Sequence, residues 1–193
     1  MRPLPQLLLA GLLLAGCAGG PVPPDWQMNS YASLNAYKQA YLTGNARVAG
    51  IEFDRARSEL ASTGSPALVA RAELIRCAVR TASLEFDDCP EFQKLRADAG
   101  PEELAYADFL AGRAARAAAE EPLSRLVVLG VQFKSANATP ESIATAIEIS
   151  SAQGWRRPLL AWLGVQEKRA EAAGDREALE RIRRRIALVA GKG

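Results

Sequence analysis

From Asp25 onward, apolar residues recur at three- and four-residue steps, and short Gly-, Pro- or Asn-containing interruptions cut the pattern into helix-length pieces. That period places one apolar stripe along each piece and does not fit strands, whose side chains alternate at every second residue. Alternating β-branched stretches are absent, and Ala, Leu, Arg and Glu, all good helix formers, dominate. The expected fold is all-α.

The pieces follow in order. Residues 26–42 carry Tyr31, Leu34, Tyr37 (or Lys38) and Tyr41 on one face, and Thr43-Gly44-Asn45 breaks the run. Residues 46–62 carry Ala49, Phe53, Ala56 and Leu60 before Thr63-Gly64. Ser65-Pro66 opens the next helix with a cap and a proline at the first helical position, and Leu68, Ala72, Ile75 and Val79 face inward to about Ala82. Residues 83–99 are the least regular: Leu84-Glu85-Phe86-Asp87-Asp88 leaves the helix, and Cys89-Pro90 begins a short one anchored by Phe92 and Leu95. Gly100-Pro101 starts a helix bearing Leu104, Ala107 (or Asp108), Ala111 and Ala114 (or Ala115), widened by Tyr106, Phe109 and Leu110.

Leu126-Val127-Val128-Leu129-Gly130-Val131, with Phe133, is apolar on nearly all sides and by pattern alone fits a buried strand as well as a buried helix. Its helical neighbours and the lack of a partner strand favour a central helix enclosed by the others. Residues 141–153 carry Ile143 and Ile147, and residues 155–173 carry Leu159, Trp162, Leu163 and Ala170. Residues 175–190 carry Leu179, Ile182, Ile186 and Val189. About eight or nine helices with short turns form stacked helical hairpins or an irregular bundle in a single domain over residues 25–193.

The first residues have another character. Arg2 precedes an apolar run from Leu7 to Leu14, and Ala18-Gly19-Gly20-Pro21-Val22-Pro23-Pro24 follows residue 17. A positive start, an apolar segment and small residues at a cut site make a secretory signal. The run falls short of the about twenty apolar residues of a membrane span. Leu14-Ala15-Gly16-Cys17 resembles the lipobox of bacterial lipoproteins. The resemblance implies that residues 1–16 are removed and that Cys17 is acylated and becomes the first residue. Ala18 is not the aspartate of inner-membrane retention, which implies anchoring in the periplasmic leaflet of the outer membrane. Two or more acyl chains hold a protein stably where one is marginal, and the modified cysteine of that family carries three. The Gly/Pro tether after Cys17 reaches only about 20 Å when extended, so the helical body is expected close to the bilayer, with Trp26 near its interface.

Composition excludes several activities. The chain has no histidine, which removes Ser–His and Cys–His catalysis along with the commonest metal ligand. Beyond the leader, 23 basic residues face 22 acidic ones, so nothing points to nucleic acid. The charge is unevenly spread: 11 basic and 15 acidic residues from Ala18 to Glu121, then 12 basic and 7 acidic to Gly193. With Cys17 lipidated, Cys77 and Cys89 remain for a disulfide in an oxidising compartment. Their spacing is not Cys-x-x-Cys, and the acids beside them, Glu85, Asp87, Asp88 and Glu91, lack the regular spacing and glycine of a calcium loop. No metal or cofactor is expected. Glu102-Glu103 and Glu120-Glu121 are adjacent pairs at helix starts, where neighbouring side chains do not face one point, so they do not form a glycosidase pair.

Gly44-Asn45, Ala49, Phe53 and Ala56 are spaced as in the turn and second helix of a tetratricopeptide repeat, a family they resemble. Ala61 stands where that family places its closing proline, and Tyr37 where it favours a small residue. Ala173-Gly174-Asp175 and Ala178 echo the turn, with the alanine one residue early. If the likeness holds, Tyr31, Tyr37, Tyr41 and Phe53 either belong to the core or line a concave groove for a partner. Arg181, Arg184 and Arg185, with Arg183, Lys192, Arg156 and Arg157, are candidates for contact with an anionic partner such as peptidoglycan or anionic lipid. Three functions are compatible with these features. One is an envelope-assembly scaffold docking another envelope protein. The second is an enzyme or small-ligand carrier with a pocket under the Cys77–Cys89 segment. The third is a structural lipoprotein lying against glycan.

Overall fold

The structure, a computed structural model, describes residues 22–116 and 120–191. The lipobox, Cys17 and Lys192 lie outside the described residues. Among the described residues nine α-helices occur and no strand: α1 (Asp25–Thr43), α2 (Ala46–Ala61), α3 (Pro66–Ala82), α4 (Pro90–Leu95), α5 (Pro101–Leu110), α6 (Pro122–Lys134), α7 (Pro140–Ala152), α8 (Arg156–Ala173) and α9 (Arg176–Ala190). A single 3₁₀ turn, Arg96–Asp98, follows α4. No helix among the described residues is long and apolar enough to cross a membrane.

The boundaries follow local chemistry. Pro stands in the first turn of α3, α4, α5, α6 and α7, where its missing N–H is one of the helix's unpaired donors in any case. Asn45 caps α2 by accepting from the Val48 N–H, and Asp175 caps α9 by accepting from the Ala178 N–H. Each cap follows a left-handed glycine, Gly44 or Gly174, that closes the preceding helix. The α1–α2 and α8–α9 hairpins therefore turn in the same way.

The centre of the array is α3. It packs against α1, α2, α4, α5 and α6, and ten of its residues are buried. The apolar run 126–133 is helical, as expected, but α6 is not enclosed: Val128, Leu129 and Phe133 are only partly covered. Its inner face presses on α3 because residue 130 is a glycine. A Cβ there would lie 2.3 Å from the Thr81 carbonyl oxygen. Trp162 of α8, fully buried, donates its indole N–H to the Ala82 carbonyl at 3.1 Å, satisfying an acceptor the end of α3 would otherwise leave open. The Phe133 ring meets that indole edge-on at 5.6 Å.

The array closes on itself. α1 packs on α8 as well as on α2 and α3, and Arg157 on α8 ties the two ends together. Its Nε donates to the Tyr41 carbonyl at 2.9 Å, its guanidinium lies over the Tyr41 ring, and it pairs with Glu85 at 3.1 Å. In a solenoid each repeat touches only its neighbours; a contact between the first and eighth helices makes this an irregular bundle of hairpins.

Two further details depart from expectation. The buried face of α1 is Ser30, Ser33, Tyr37 and Leu42, leaving Tyr31 70% exposed. Small serines let α1 lie close to its neighbours, which turns Tyr31 outward. Helix α5 stops at Leu110 rather than running through Ala114, because Gly112 adopts φ +77°. Trp26 is half-buried against the core.

Gly130→Ala is expected to destabilise the fold by about 1–3 kcal/mol, since the added methyl meets backbone that must shift. Gly50→Ala, at a helical site where a Cβ meets nothing within 4 Å, should stabilise it by about 0.5–1 kcal/mol. Urea unfolding of the two variants checks the opposite signs.

Candidate functional site: an apolar groove beside the disulfide-held segment

Cys77 and Cys89 form a disulfide across twelve residues, pinning the segment after α3 back onto that helix. The segment is held by charge as well. Arg80 pairs with Asp87 at 2.8 Å and lies 3.9 Å from Glu85, and the Cys89 N–H donates to Asp87 at 2.9 Å. Cys77, Asp87 and Cys89 come together closely enough to suggest a metal site. The two sulfurs, however, are bonded to each other, and Asp87 is occupied by Arg80 and the Cys89 amide.

Leu84 ends α3 in a left-handed conformation, φ +58°, at the place where glycine is usual. The N–H groups of Leu84 and Glu85 reach back to Thr81 and Arg80. Ala136 does the same after α6, with φ +58° and N–H groups of Ala136 and Asn137 returning to Phe133 and Gln132. Such backbones are strained for residues with a Cβ, by about 1–3 kcal/mol each. Only three non-glycine residues with positive φ occur among the described residues, Leu84, Cys89 and Ala136.

Leu84 and Ala136 both line the largest concavity described, an open groove of about 800 Å³. Phe133, Ile143, Leu160 and Val165 supply its other large apolar side chains, and Ala161, Gly164 and Ala172 run along α8. Phe86, from the same disulfide-held segment, stacks on Phe133 with ring centroids 6.3 Å apart. Charge is confined to Glu167, Lys168 and Arg169. Glu167 is taken by Arg183 of α9 at 2.7 Å, whereas Lys168 and Arg169 form no ion pair among the described residues.

A second, smaller concavity of about 380 Å³ lies between α3, α5 and α6, with Leu74, Phe109 and Val127 below and Arg71, Glu103 and Arg116 around it. Its charges are spent internally. Arg71 holds Glu103 at 2.6 Å, and Arg116 lies over the Tyr106 ring. The hydrogen bond from Arg71 draws the Glu103 carboxyl below its usual value, against the opposing effect of burial.

The other sites anticipated from sequence are placed as follows. Tyr37 and Phe53 are core residues, packed edge-on at 5.0 Å, and Tyr41 is half-buried under Arg157, so they do not line a groove with Tyr31. Burial pushes the Tyr37 and Tyr41 phenols well above their ordinary range, so neither is a base near neutral pH. On α9, Arg181 pairs with Glu177 and Arg184 approaches Glu180 at 3.9 Å, while Arg185 stays exposed beside Gln166. The face is laced with acids rather than purely basic. Sequence reasoning missed the groove because its residues come from α6, α7, α8 and the end of α3. The absence of glycine after Ser83 and Ser135 at helix ends was the one available signal. It also missed Glu73, which is 1% exposed and held between Arg57 and Arg76 at 3.1 and 2.7 Å.

No protein-family model, curated protein or solved structure matches this chain.

Two measurements check the supports of the site. Replacing Cys77 and Cys89 together by Ser should lower stability by about 3 kcal/mol in the chain-entropy account; denaturant titration reads the loss. Because the folded Glu103 carboxyl sits below its unfolded value, its stabilisation is fully present above the ordinary carboxylate range. It is lost as pH falls through the folded value. Arg71→Gln should therefore lower the melting temperature at pH 7 and flatten its decline as pH falls through and below the ordinary carboxylate range.

Proposed function

We propose that this chain is a lipid-anchored envelope protein whose helical body is a docking scaffold for another envelope protein. The observation that carries the proposal is the open apolar groove between α6, α7 and α8. Helix-in-groove recognition needs a rigid wall of helices, an apolar floor and a polar edge. The groove has all three, and its walls are held by the disulfide, by Trp162 and by the Arg157 contacts. Its three charged residues include no carboxylate pair and no nucleophile beside a base. Placement in the envelope is supported by the lipobox-like Leu14-Ala15-Gly16-Cys17 and by a paired Cys77 and Cys89, a bond suited to an oxidising compartment.

A second reading, a carrier for an apolar small molecule, is favoured by the groove's volume, which falls within the usual 300–1,000 Å³ of ligand pockets, roughly speaking. The groove also borders the disulfide-held segment through Leu84. Contact with peptidoglycan through α9 has less support, since the acids on that helix offset its arginines.

Incorporating a photo-crosslinking residue at Val165 in living cells should give a discrete protein adduct that the same residue at exposed Ser58 does not. In parallel, Cys17→Ser should move the protein from the membrane fraction to the aqueous one. Absence of any adduct from Val165 would reject the scaffold, and a Cys17→Ser protein still in the membrane fraction would reject the anchor.

A further inference from the structure

We infer that the occupant of the groove is an amphipathic helix with acidic residues beside its apolar face. This rests on the scaffold reading and identifies the chemistry of the partner.

The groove runs along α8. Ala161, Gly164, Val165, Lys168 and Ala172 line it at steps of one, three and four residues, which is one face of the helix. From Ala161 to Ala172 that face extends about 16 Å at the helical rise, the length of three turns of an opposing helix. Beside that face the lining is large and apolar, with Leu84, Phe133 and, from α7, Ile143.

Gly164 is the telling residue. A glycine inside a helix weakens it, so one is expected where a neighbour approaches closely. Gly130 has such a neighbour in Thr81, whereas a Cβ on Gly164 would meet no neighbouring atom within 4 Å. The bundle itself does not require a small residue there. Gly50 likewise meets nothing, but Gly164 differs in lining the groove, where an added methyl would hold an incoming helix farther off. The strained Leu84 and Ala136 point the same way: both keep a side chain where glycine would relax the turn, and both face this groove. Strain of this kind concentrates at ligand-binding positions.

Charge selects among helices. Glu167 is paired with Arg183, whereas Lys168 and Arg169 form no ion pair among the described residues, although Arg169 is close enough to Glu141 to favour its ionised form. A lysine-flanked helix would place like charges against them, whereas an acidic one would pair with them. Complementary charge of this sort decides partner choice and encounter rate more than total affinity.

The test uses the full lipidated chain in nanodiscs of uncharged phosphatidylcholine, with empty nanodiscs as the baseline, and two fluorescein-labelled 18-residue peptides. Both carry leucine at i, i+3, i+4 and i+7 positions; one is flanked by glutamate, the other by lysine. Fluorescence anisotropy should show the glutamate peptide binding at least about tenfold more tightly than its lysine twin at low salt, with the difference shrinking as salt screens the rim. Lys168→Glu with Arg169→Glu should reverse the preference. Gly164→Ala should raise the melting temperature, as Gly50→Ala does, yet weaken the glutamate peptide, while Gly50→Ala leaves binding unchanged.

Equal binding of the two peptides, or Gly164→Ala binding as well as the unchanged protein, overturns the inference. So does capture of palmitate by a protein that takes neither peptide. If neither peptide binds while Val165 still crosslinks in cells, the identity of the occupant is wrong and the scaffold reading stands. If the crosslink is missing too, both fall.

Discussion

The crossing of α6 over the end of α3 is the contact on which the rest of the bundle depends. Thr81 offers its carbonyl to the space above residue 130, and only a residue without a side chain lets α6 descend that far. One residue later, the Ala82 carbonyl accepts the Trp162 indole N–H, which brings in α8. Two residues on, the chain bends through the left-handed Leu84. Within four residues, then, the carboxyl end of α3 fixes α6, places α8 and turns the disulfide-held segment toward the groove. Unsatisfied carbonyls at a helix end demand partners: those of Arg80 and Thr81 accept from the backbone just beyond the helix, and that of Ala82 accepts from α8.

The polar contacts divide into those that join elements and those that merely decorate one. Arg157 joins α8 to the end of α1 and to the segment after α3, and Glu73 joins α3 to α2 through Arg57. A carboxylate as deeply enclosed as Glu73 is tolerable only because two guanidiniums compensate its lost hydration. The pairs along α9, by contrast, lie on an exposed surface, where an ion pair is worth about 0–1 kcal/mol. The same distinction separates the two concavities. In the smaller one the arginines are committed to Glu103 and to the Tyr106 ring, whereas Lys168 and Arg169 of the larger form no ion pair among the described residues.

The order of helices was legible because periodicity and punctuation are local. Asn45 and Asp175 cap where a polar residue follows glycine, and prolines at residues 66, 90, 101, 122 and 140 open helices where their missing N–H does no harm. Which face of a helix is covered was less legible. Tyr31 falls on an apolar step in the sequence, yet lies outside because Ser30 and Ser33 are the residues small enough for close packing. The apolar run of α6 reads as central, yet α3, less hydrophobic along its length, holds the centre because more helices converge on it.

By itself, the sequence determined the helical class, the turns, the pairing of Cys77 with Cys89 once Cys17 is set apart, and the exclusion of histidine-based chemistry. These follow from residue type and short spacing, which do not need the chain to be folded to be read. Only the tertiary structure decided that the first helix meets the eighth and that Tyr37 and Phe53 are core. It alone also assembled a groove from Leu84, Phe133, Ile143 and Val165. Those residues are up to 81 positions apart, and no local pattern encodes the distance at which two helices cross; that distance was set by the missing side chain at residue 130.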